Sequence, residues 1–237
     1  MNKIIVFAAT YNEAQNVEKL INQILKVSIE TDILIIDDNS EDKTYEILKK
    51  SYNKNPRVTL IKRDRKLGLD TAHKMAFRFA KKNNYKKLIT MDADLSHDPN
   101  EIPKFIKYLD QYDFVIGSRY APKGLCEMTF FRKILSLIGN KIIKFILKTD
   151  LTEYTTSYRG FNLENLKNFD IDTVKSKGYS FFMDTINILN KSKIKMFEFP
   201  ITFKNRIIGK SKIPKLEIFR TLIRLFVIFL TKNKIIN

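Results

Sequence analysis

Two aspartates, two residues apart, close an apolar run: Leu88-Ile-Thr-Met91 is followed by Asp92-Ala-Asp94. At that spacing in a strand, both side chains point to the same side of a sheet and can share one site. Carboxylates held together repel unless a cation lies between them. Hard oxygen ligands suit Mg2+ or Mn2+ bridging the phosphates of a nucleotide, the ion keeping several waters. Helix capping explains the acid just downstream, because Asp98-Pro-Asn-Glu101 reads as a helix start. For Asp92 and Asp94, in an apolar strand context, metal binding is the stronger reading. A second acidic pair, Asp37-Asp38, ends another apolar run, where a carboxylate can accept hydrogen bonds from a ribose or a base. Asn39 or Ser40 can cap the helix that follows, with Glu41 and Asp42 near its positive end. Capping leaves the paired aspartates unaccounted for. No G-x-G-x-x-G turn follows the first apolar run, which argues against a dehydrogenase.

The elements that must position these acids are legible as a repeat of short apolar run, polar loop and amphipathic stretch. The runs are Ile4 to Ala9, Ile33 to Ile36, Val58 to Ile61, Leu88 to Met91 and Phe114 to Ile116. Between them, Val17, Leu20, Ile21, Ile24 and Leu25 fall on one helical face, as do Ile102, Phe105, Ile106 and Leu109. Near-continuous apolar strands joined by helices imply an α/β fold with a parallel sheet covered on both sides. Ligands of such sheets bind beyond the strand carboxyl ends. Thr10-Tyr-Asn-Glu13, Asp37-Asp-Asn-Ser40, Asp92-Ala-Asp94 and Gly117-Ser-Arg-Tyr120 all follow such runs, so acids and one arginine crowd one edge. No linker, repeat or low-complexity tract divides the chain.

The formal charge is +17, from 43 Lys and Arg against 26 Asp and Glu, which predicts attraction to an anionic partner. No nucleic-acid-binding module is recognisable, so no nucleic acid is expected as a partner. The single cysteine, Cys126, excludes an internal disulfide and fits a reducing compartment; the N-terminal residues lack the pattern of a signal peptide, and a cytoplasmic location is expected. The longest apolar stretch, Leu222 to Leu230, carries Arg224 and falls short of the roughly 20 residues needed to span a bilayer.

Taken together in order, these motifs resemble the inverting family 2 glycosyltransferases, and within them the dolichyl- and polyprenyl-phosphate mannose synthases. The matching segments are Thr10-Tyr-Asn-Glu13, Ile36-Asp-Asp-Asn-Ser40, Leu67-Gly-Leu69, Met91-Asp-Ala-Asp-Leu-Ser-His-Asp-Pro99, Gly117-Ser-Arg-Tyr120, Lys177-Gly-Tyr179, and Phe203-Lys-Asn-Arg206 with Gly209-Lys-Ser-Lys212. The resemblance implies a Rossmann-like GT-A fold with a mostly parallel central sheet, expected over residues 1–212; the pattern of the remaining residues, 213–237, reads as a C-terminal interfacial amphipathic helix. The resemblance also implies GDP-mannose as donor, a polyprenyl or dolichyl phosphate as acceptor, and Mg2+ or Mn2+ as cofactor. By the same resemblance Thr10, Tyr11, Glu13, Asp37, Asp38, Asp92 and Ser136 bind the nucleotide-sugar, and Asp92, Asp94 and Ser96 bind the metal. Arg119, Arg132, Ser136 and Arg206 grip phosphate, the arginines joining Asp94 in the catalytic set. Two departures stand in the middle region, where Glu153-Tyr-Thr-Thr-Ser-Tyr-Arg159 replaces the family pattern Asp-Pro-Thr-Ser-Gly-Phe-Arg at both its Asp and its Gly. The absence of Trp also excludes the Q-x-x-R-W signature of processive polysaccharide synthases.

A lipid monophosphate is largely ionised at neutral pH, its second pKa being about 6, so it attacks without a general base. Metal and arginine then supply the catalysis of a single inverting displacement. Two further readings remain: UDP-glucose or another donor, or a glycan hydroxyl as acceptor with Asp184 as base. A non-catalytic binding module is a reading of a different class.

Two stretches bear on a membrane. Between Arg132 and Lys148, Lys133, Asn140, Lys141, Lys144 and Lys148 mark a polar side and Ile134, Leu135, Leu137, Ile138, Ile142, Phe145 and Ile146 fill the rest. Core packing and an interfacial helix fit this stretch equally. Ile213 to Lys234, with Arg220 and Arg224 on one face, is expected to lie in a lipid interface, making the protein peripheral on the cytosolic side with a possible membrane partner subunit. His73 is expected to pack in the core or on a helix surface, Phe181 and Phe182 to pack in the core, and His97 sits where it can orient the neighbouring acids.

Overall fold

A computed structural model describes residues 3–27, 31–205 and 223–228. The five apolar runs are strands β1 (Ile4–Thr10), β2 (Thr31–Asp37), β3 (Val58–Lys62), β4 (Lys87–Asp92) and β5 (Phe114–Ser118). Helices α1 (Val17–Val27), α2 (Thr44–Tyr52), α3 (Leu69–Lys82) and α4 (Ile102–Tyr108) lie between them in chain order. After β5 come β6 (Leu125–Cys126), α5 (Phe130–Leu147), β7 (Arg159–Asn162), α6 (Ser180–Lys191), β8 (Met196–Pro200) and β9 (Thr202–Phe203). The central sheet has the order β3-β2-β1-β4-β7-β5-β8. Every neighbour pair is parallel except those of β7, which runs against both β4 and β5.

Alternation along β1 explains why its run is continuously apolar. Ile5 and Phe7 enter one core cluster with α3, α5 and α6, whereas Ile4, Val6 and Ala8 enter a second cluster with α1, α2 and α4. The predicted faces of α1 and α4 are the buried ones, through Val17, Leu20, Ile21, Ile24, Ile102 and Phe105. Capping differs in one place from expectation. Neither Asn39 nor Ser40 caps α2; the helix starts at Thr44, whose N–H donates to Asp42 Oδ1 at 3.0 Å, after Lys43 takes a left-handed conformation with φ 65°. Asp98 does cap the turn Pro99–Glu101, accepting from the Asn100 N–H.

The reversed strand has a positional consequence. Arg159, the first residue of β7, stands opposite Thr90 of β4 and Ile116 of β5. The segment just before it, residues 153–158, is therefore delivered to the edge where β4 and β5 end. Gly160 passes Leu109 and Phe105 closely: a Cβ there would stand 2.9 Å from Leu109 Cδ1.

Helix α5 packs inward through Asn140, Ile143 and Leu147. The Asn140 side chain accepts from the Tyr154 N–H at 2.9 Å and donates to the Ser136 carbonyl at 2.9 Å, so it faces the core and not the polar side expected for it. Its phenylalanines point out instead: Phe130, Phe131 and Phe145 are 80%, 77% and 78% exposed. Residues 223–228 are helical, with Leu225 and Ile228 packed into the same cluster as Ile143 and Leu147 and Ile223 and Phe226 exposed. No helix among the described residues is long and apolar enough to cross a membrane. The remainder of the 213–237 segment and the boundary at 212 lie outside the described residues.

His73 is buried among aromatic rings, edge-on to Phe7 at 5.0 Å and to Phe182 at 4.9 Å. Burial, with the nearby Arg159 charge, pushes its pKa from 6.5 down to about 3. The unfolded chain then binds a proton below 6.5 that the folded chain refuses, so this contribution to stability is complete above 6.5 and declines as pH falls toward about 3. Urea unfolding midpoints are expected to drop as pH is lowered from about 7 to about 5, and His73→Phe should flatten that slope. An unchanged slope in His73→Phe would show that the acid sensitivity arises elsewhere.

Candidate active site

Three strand ends meet on one edge: Thr10 of β1 stands opposite Asp37 of β2, and Ala9 opposite Asp92 of β4. The acidic side chains there have distinct partners. Asp37 is buried and accepts from Thr10 Oγ1 at 2.8 Å, from the Ser40 N–H at 2.9 Å and from Ser40 Oγ at 2.5 Å. Ser40 Oγ in turn accepts from the Asn12 N–H at 2.9 Å. Thr10 and Asp37, both read as nucleotide contacts, thus brace the loops after β1 and β2 against each other. Asp38 is built differently. It pairs with Arg63 and accepts from the Gly68 N–H at 3.2 Å, while Arg63 donates to the Gly68 carbonyl at 3.1 Å and to Thr71 Oγ1 at 2.6 Å. Burial raises the Asp38 carboxyl above its ordinary pKa, with Arg63 opposing. Gly68 holds φ at 97°, a conformation that favours glycine, which lets this loop reach the carboxylate.

Tyr11 and Glu13 flank the same edge. The Tyr11 hydroxyl donates to Glu41 Oε1 at 3.3 Å and its ring lies 3.9 Å from Lys66 Nζ. Glu13 accepts from Asn16 Nδ2 at 2.9 Å, and its N–H donates to Thr44 Oγ1 at 3.0 Å.

Asp92, the last residue of β4, and Asp94, in the loop just beyond it, are each held by neighbouring residues. Asp92 Oδ1 accepts from Ser157 Oγ at 2.5 Å, and the Asp92 N–H donates to His97 Nδ1 at 3.0 Å. Asp94 Oδ1 accepts from the Ser96 N–H at 3.1 Å and from Ser96 Oγ at 2.5 Å, so the Ser96 hydroxyl is directed to Asp94. His97 is fully buried, stacked on Tyr158 at 4.8 Å, with Nε2 at 3.1 Å from Thr156 Oγ1. Burial holds its pKa below the ordinary value. A neutral ring accepting at Nδ1 places its proton on Nε2, toward Thr156. His97 therefore braces the backbone at Asp92.

These residues fit a hydrated divalent ion. Among the described residues no group of three or more His, Cys, Asp or Glu side chains surrounds a common point. Two hard carboxylates at a strand end supply part of a coordination shell and leave the rest to phosphate and water, the donor set Mg2+ or Mn2+ takes on nucleotides.

At the end of β5, the Arg119 fork is already engaged. Its Nε donates to Glu153 Oε2 at 2.7 Å and its Nη2 to Glu153 Oε1 at 2.9 Å and Thr155 Oγ1 at 2.9 Å. Both partners are buried. Burial disfavours the charged arginine, but the adjoining Glu153 carboxylate outweighs it and holds the Arg119 pKa above its ordinary value; the same pairing lowers that of Glu153. The bidentate phosphate grip expected of Arg119 gives way to a fixed positive charge with Nη1 as the nitrogen not used by Glu153. Arg132 is exposed on the first turn of α5 and Ser136 lies one turn on, half-buried. The Ser136 side chain hydrogen-bonds Tyr120, the neighbour of Arg119, and Arg206 lies outside the described residues. The chain nonetheless returns to the acids after β9, where the Lys204 N–H donates to the Ser96 carbonyl at 3.1 Å.

Sequence reading missed Thr156 and Arg63, and it flagged Glu153 and Ser157 only as departures from the family pattern. Each acts across a long sequence separation, so no local spacing signals it. Asp184, the alternative base, is buried and accepts from Ser176 Oγ at 2.7 Å and from Arg224 at 2.8 Å, tying α6 to the 223–228 helix.

Glu153→Gln leaves the buried Arg119 charge without its counter-ion and should cost roughly 3–5 kcal/mol of stability in urea unfolding. The double replacement Arg119→Met/Glu153→Leu should recover most of that loss. Equal destabilisation in the single and double variants would contradict the pairing.

Residues 5–169 match the family model described as Glycosyl transferase family 2. An undecaprenyl-phosphate mannosyltransferase of Micrococcus luteus is 32% identical over 211 residues, which covers 89% of this chain and 87% of the relative. A polyprenol monophosphomannose synthase of Mycolicibacterium smegmatis is 32% identical over 213 residues, 89% of this chain and 80% of the relative. Among solved structures, glucosyl-3-phosphoglycerate synthase from Mycobacterium tuberculosis, in complex with Mn2+, UDP and phosphoglyceric acid, aligns with a TM-score of 0.69 at 13% identity, over 97% of this chain and 78% of that one. A mannosyltransferase from Pyrobaculum calidifontis, in complex with GDP-Man and Mn2+, aligns with a TM-score of 0.61 at 16% identity over 88% of this chain; the alignment spans 58% of that longer chain. Both likenesses give the GT-A fold. With a family model covering residues 5–169 and relatives 32% identical matched over four fifths or more of their length, the chain belongs to glycosyl transferase family 2.

Proposed function

We propose that this protein transfers mannose from GDP-mannose to the phosphate of a polyprenyl lipid, with inversion at the sugar. The carrying observation is the edge that joins Asp92 and Asp94 to the fixed charge of Arg119, in a chain 32% identical to two polyprenyl-phosphate mannosyl enzymes. Tyr11, Glu13 and Asp38 line the nucleoside side of that edge. Asp92 and Asp94 would hold a divalent ion, Mg2+ or Mn2+, which would supply positive charge against the departing diphosphate. Ser96 and Ser157 keep the two carboxylates oriented, and Arg119 adds a positive charge fixed in place by Glu153. Arg132 and Ser136 on α5, with Arg206 beyond the described residues, are proposed to position the attacking lipid phosphate. Because that phosphate is already ionised, the reaction requires no side-chain base. The hydroxyl-acceptor alternative is less favoured, since Asp184 is engaged by Arg224 and Ser176.

The acceptor's hydrocarbon places it in a bilayer, and the outward face of α5 is suited to meet it. Phe130, Phe131, Ile138 and Phe145 are exposed there, beside Lys133, Lys141 and Lys148, with Ile223 and Phe226 exposed on the helix of residues 223–228. An apolar face bordered by lysines matches an anionic lipid surface, and the peripheral position on the cytosolic side is proposed on that basis.

Radiolabelled mannose from GDP-mannose should enter the lipid phase in the presence of polyprenyl phosphate in detergent, should be lost with EDTA, and should fall by about a hundredfold or more in Asp94→Ala. Label from UDP-glucose but not GDP-mannose would replace the donor, and no lipid-phase label from either would overturn the acceptor. Vesicle flotation gives a separate check: binding to anionic liposomes should decline in Phe130→Ser/Phe131→Ser. Wild-type protein that fails to float would point instead to a membrane partner subunit for this face.

A further inference from the structure

Ser157 is buried and lies in the segment that the reversed strand β7 delivers to the site edge. Its hydroxyl donates to Asp92 Oδ1 at 2.5 Å, and its own backbone is pinned by Thr90 Oγ1, which donates to the Ser157 carbonyl. The residues around it are fixed as well. Thr156 meets His97, and Arg159 donates to the carbonyls of Thr156, Tyr154 and Phe182 at 2.8, 2.8 and 2.7 Å. The donor is therefore held rigidly, and Asp92, whose side chain is 36% exposed, is the partner that would otherwise turn freely. On the other carboxylate oxygen, Oδ2, no hydrogen-bond donor acts among the described residues; the nearest ring nitrogen, His97 Nδ1, is 3.7 Å away and already accepts from the Asp92 N–H.

We infer that Ser157 is a positioning residue that makes Asp92 a one-oxygen metal ligand, and that it favours small octahedral ions over Ca2+. The inference rests on the metal-dependent reading above and deepens it. With Oδ1 engaged by the serine, Asp92 offers Oδ2 in one orientation. Mg2+ and Mn2+ take single carboxylate oxygens in near-octahedral shells, whereas Ca2+ accepts one or both oxygens in looser geometries. A fixed single oxygen serves the first class more than the second. Hydrogen-bonding partners of metal-binding groups commonly change metal affinity about tenfold to a hundredfold when removed.

The test is metal binding read directly, with GDP present. Free Mn2+ is followed by electron paramagnetic resonance, and Ca2+ by isothermal titration, on wild type, Ser157→Ala, Ser157→Gly and Ser157→Thr, each checked for folding by its thermal transition. Expected is an Mn2+ Kd raised about tenfold to a hundredfold in the alanine and glycine variants, a smaller change for Ca2+, and recovery in the threonine variant, which keeps the hydroxyl. An Mn2+ Kd that is unchanged or tighter in folded Ser157→Ala overturns the assignment, and so does a parallel loss for Mn2+ and Ca2+. Failure of the wild-type protein itself to bind Mn2+ with GDP overturns the metal reading beneath it, an outcome distinct from the other two.

Discussion

Arg159 opens β7, which runs against both its neighbours, and its buried guanidinium is directed to three backbone carbonyls, those of Tyr154, Thr156 and Phe182. Burying a cation costs several kcal/mol, and hydrogen bonds to a charged group return about 1.5–3 kcal/mol each, so the balance closes only while all three carbonyls stay in place. Burial lowers the Arg159 pKa to about 9, which still leaves the group charged at neutral pH. The consequence reaches the chemistry. The chain bent around this guanidinium carries Glu153 to Arg119, Thr156 to His97 and Ser157 to Asp92. A parallel strand in the same slot would send this segment to the opposite edge of the sheet.

Electrostatics on this edge follow one rule: each charged side chain is oriented by a neighbour before any substrate arrives. Asp92 and Asp94 each receive a serine hydroxyl, Asp38 receives Arg63, and Arg119 receives Glu153. Such pre-orientation is what electrostatic catalysis requires, since dipoles and charges that need not reorganise stabilise developing charge most. It also explains how acids can gather in a chain whose formal charge is +17. Among the described residues most lysines are exposed or half-buried, and those beside the exposed face of α5 belong to the same proposed encounter with an anionic surface.

Much of this was legible in the sequence because parallel strands buried on both faces leave unbroken apolar runs, and the loops after them carry the chemistry. The strands β1 to β5, the buried faces of α1 and α4, and the acids at the end of β4 are read directly in that way. Less was legible where the partner lies far along the chain. Glu153 and Ser157 stand out only as residues unlike the family pattern, and their roles emerge once β7 is known to run backwards beside β4 and β5. Helix α5 hid its orientation for another reason: its apolar residues surround most of the axis, so periodicity alone does not say which go inward. Asn140, a polar residue that caps the Tyr154 N–H from within, settles the inward face. Asp37 and Asp38 look equivalent as a pair and both are buried, yet one meets Thr10 and Ser40 and braces loops while the other meets an arginine, a difference set by the partners the fold brings to each.

In the proposed reaction a lipid phosphate, needing no base, displaces the nucleotide from the far side of the sugar. Its most direct test is the anomeric configuration of the product made from GDP-mannose and a short polyprenyl phosphate, read by NMR. The mechanism proposed here gives a lipid phosphodiester of β-mannose, inverted from the α-linked donor. An α-linked product, or mannose joined to a hydroxyl in place of the phosphate, would contradict it.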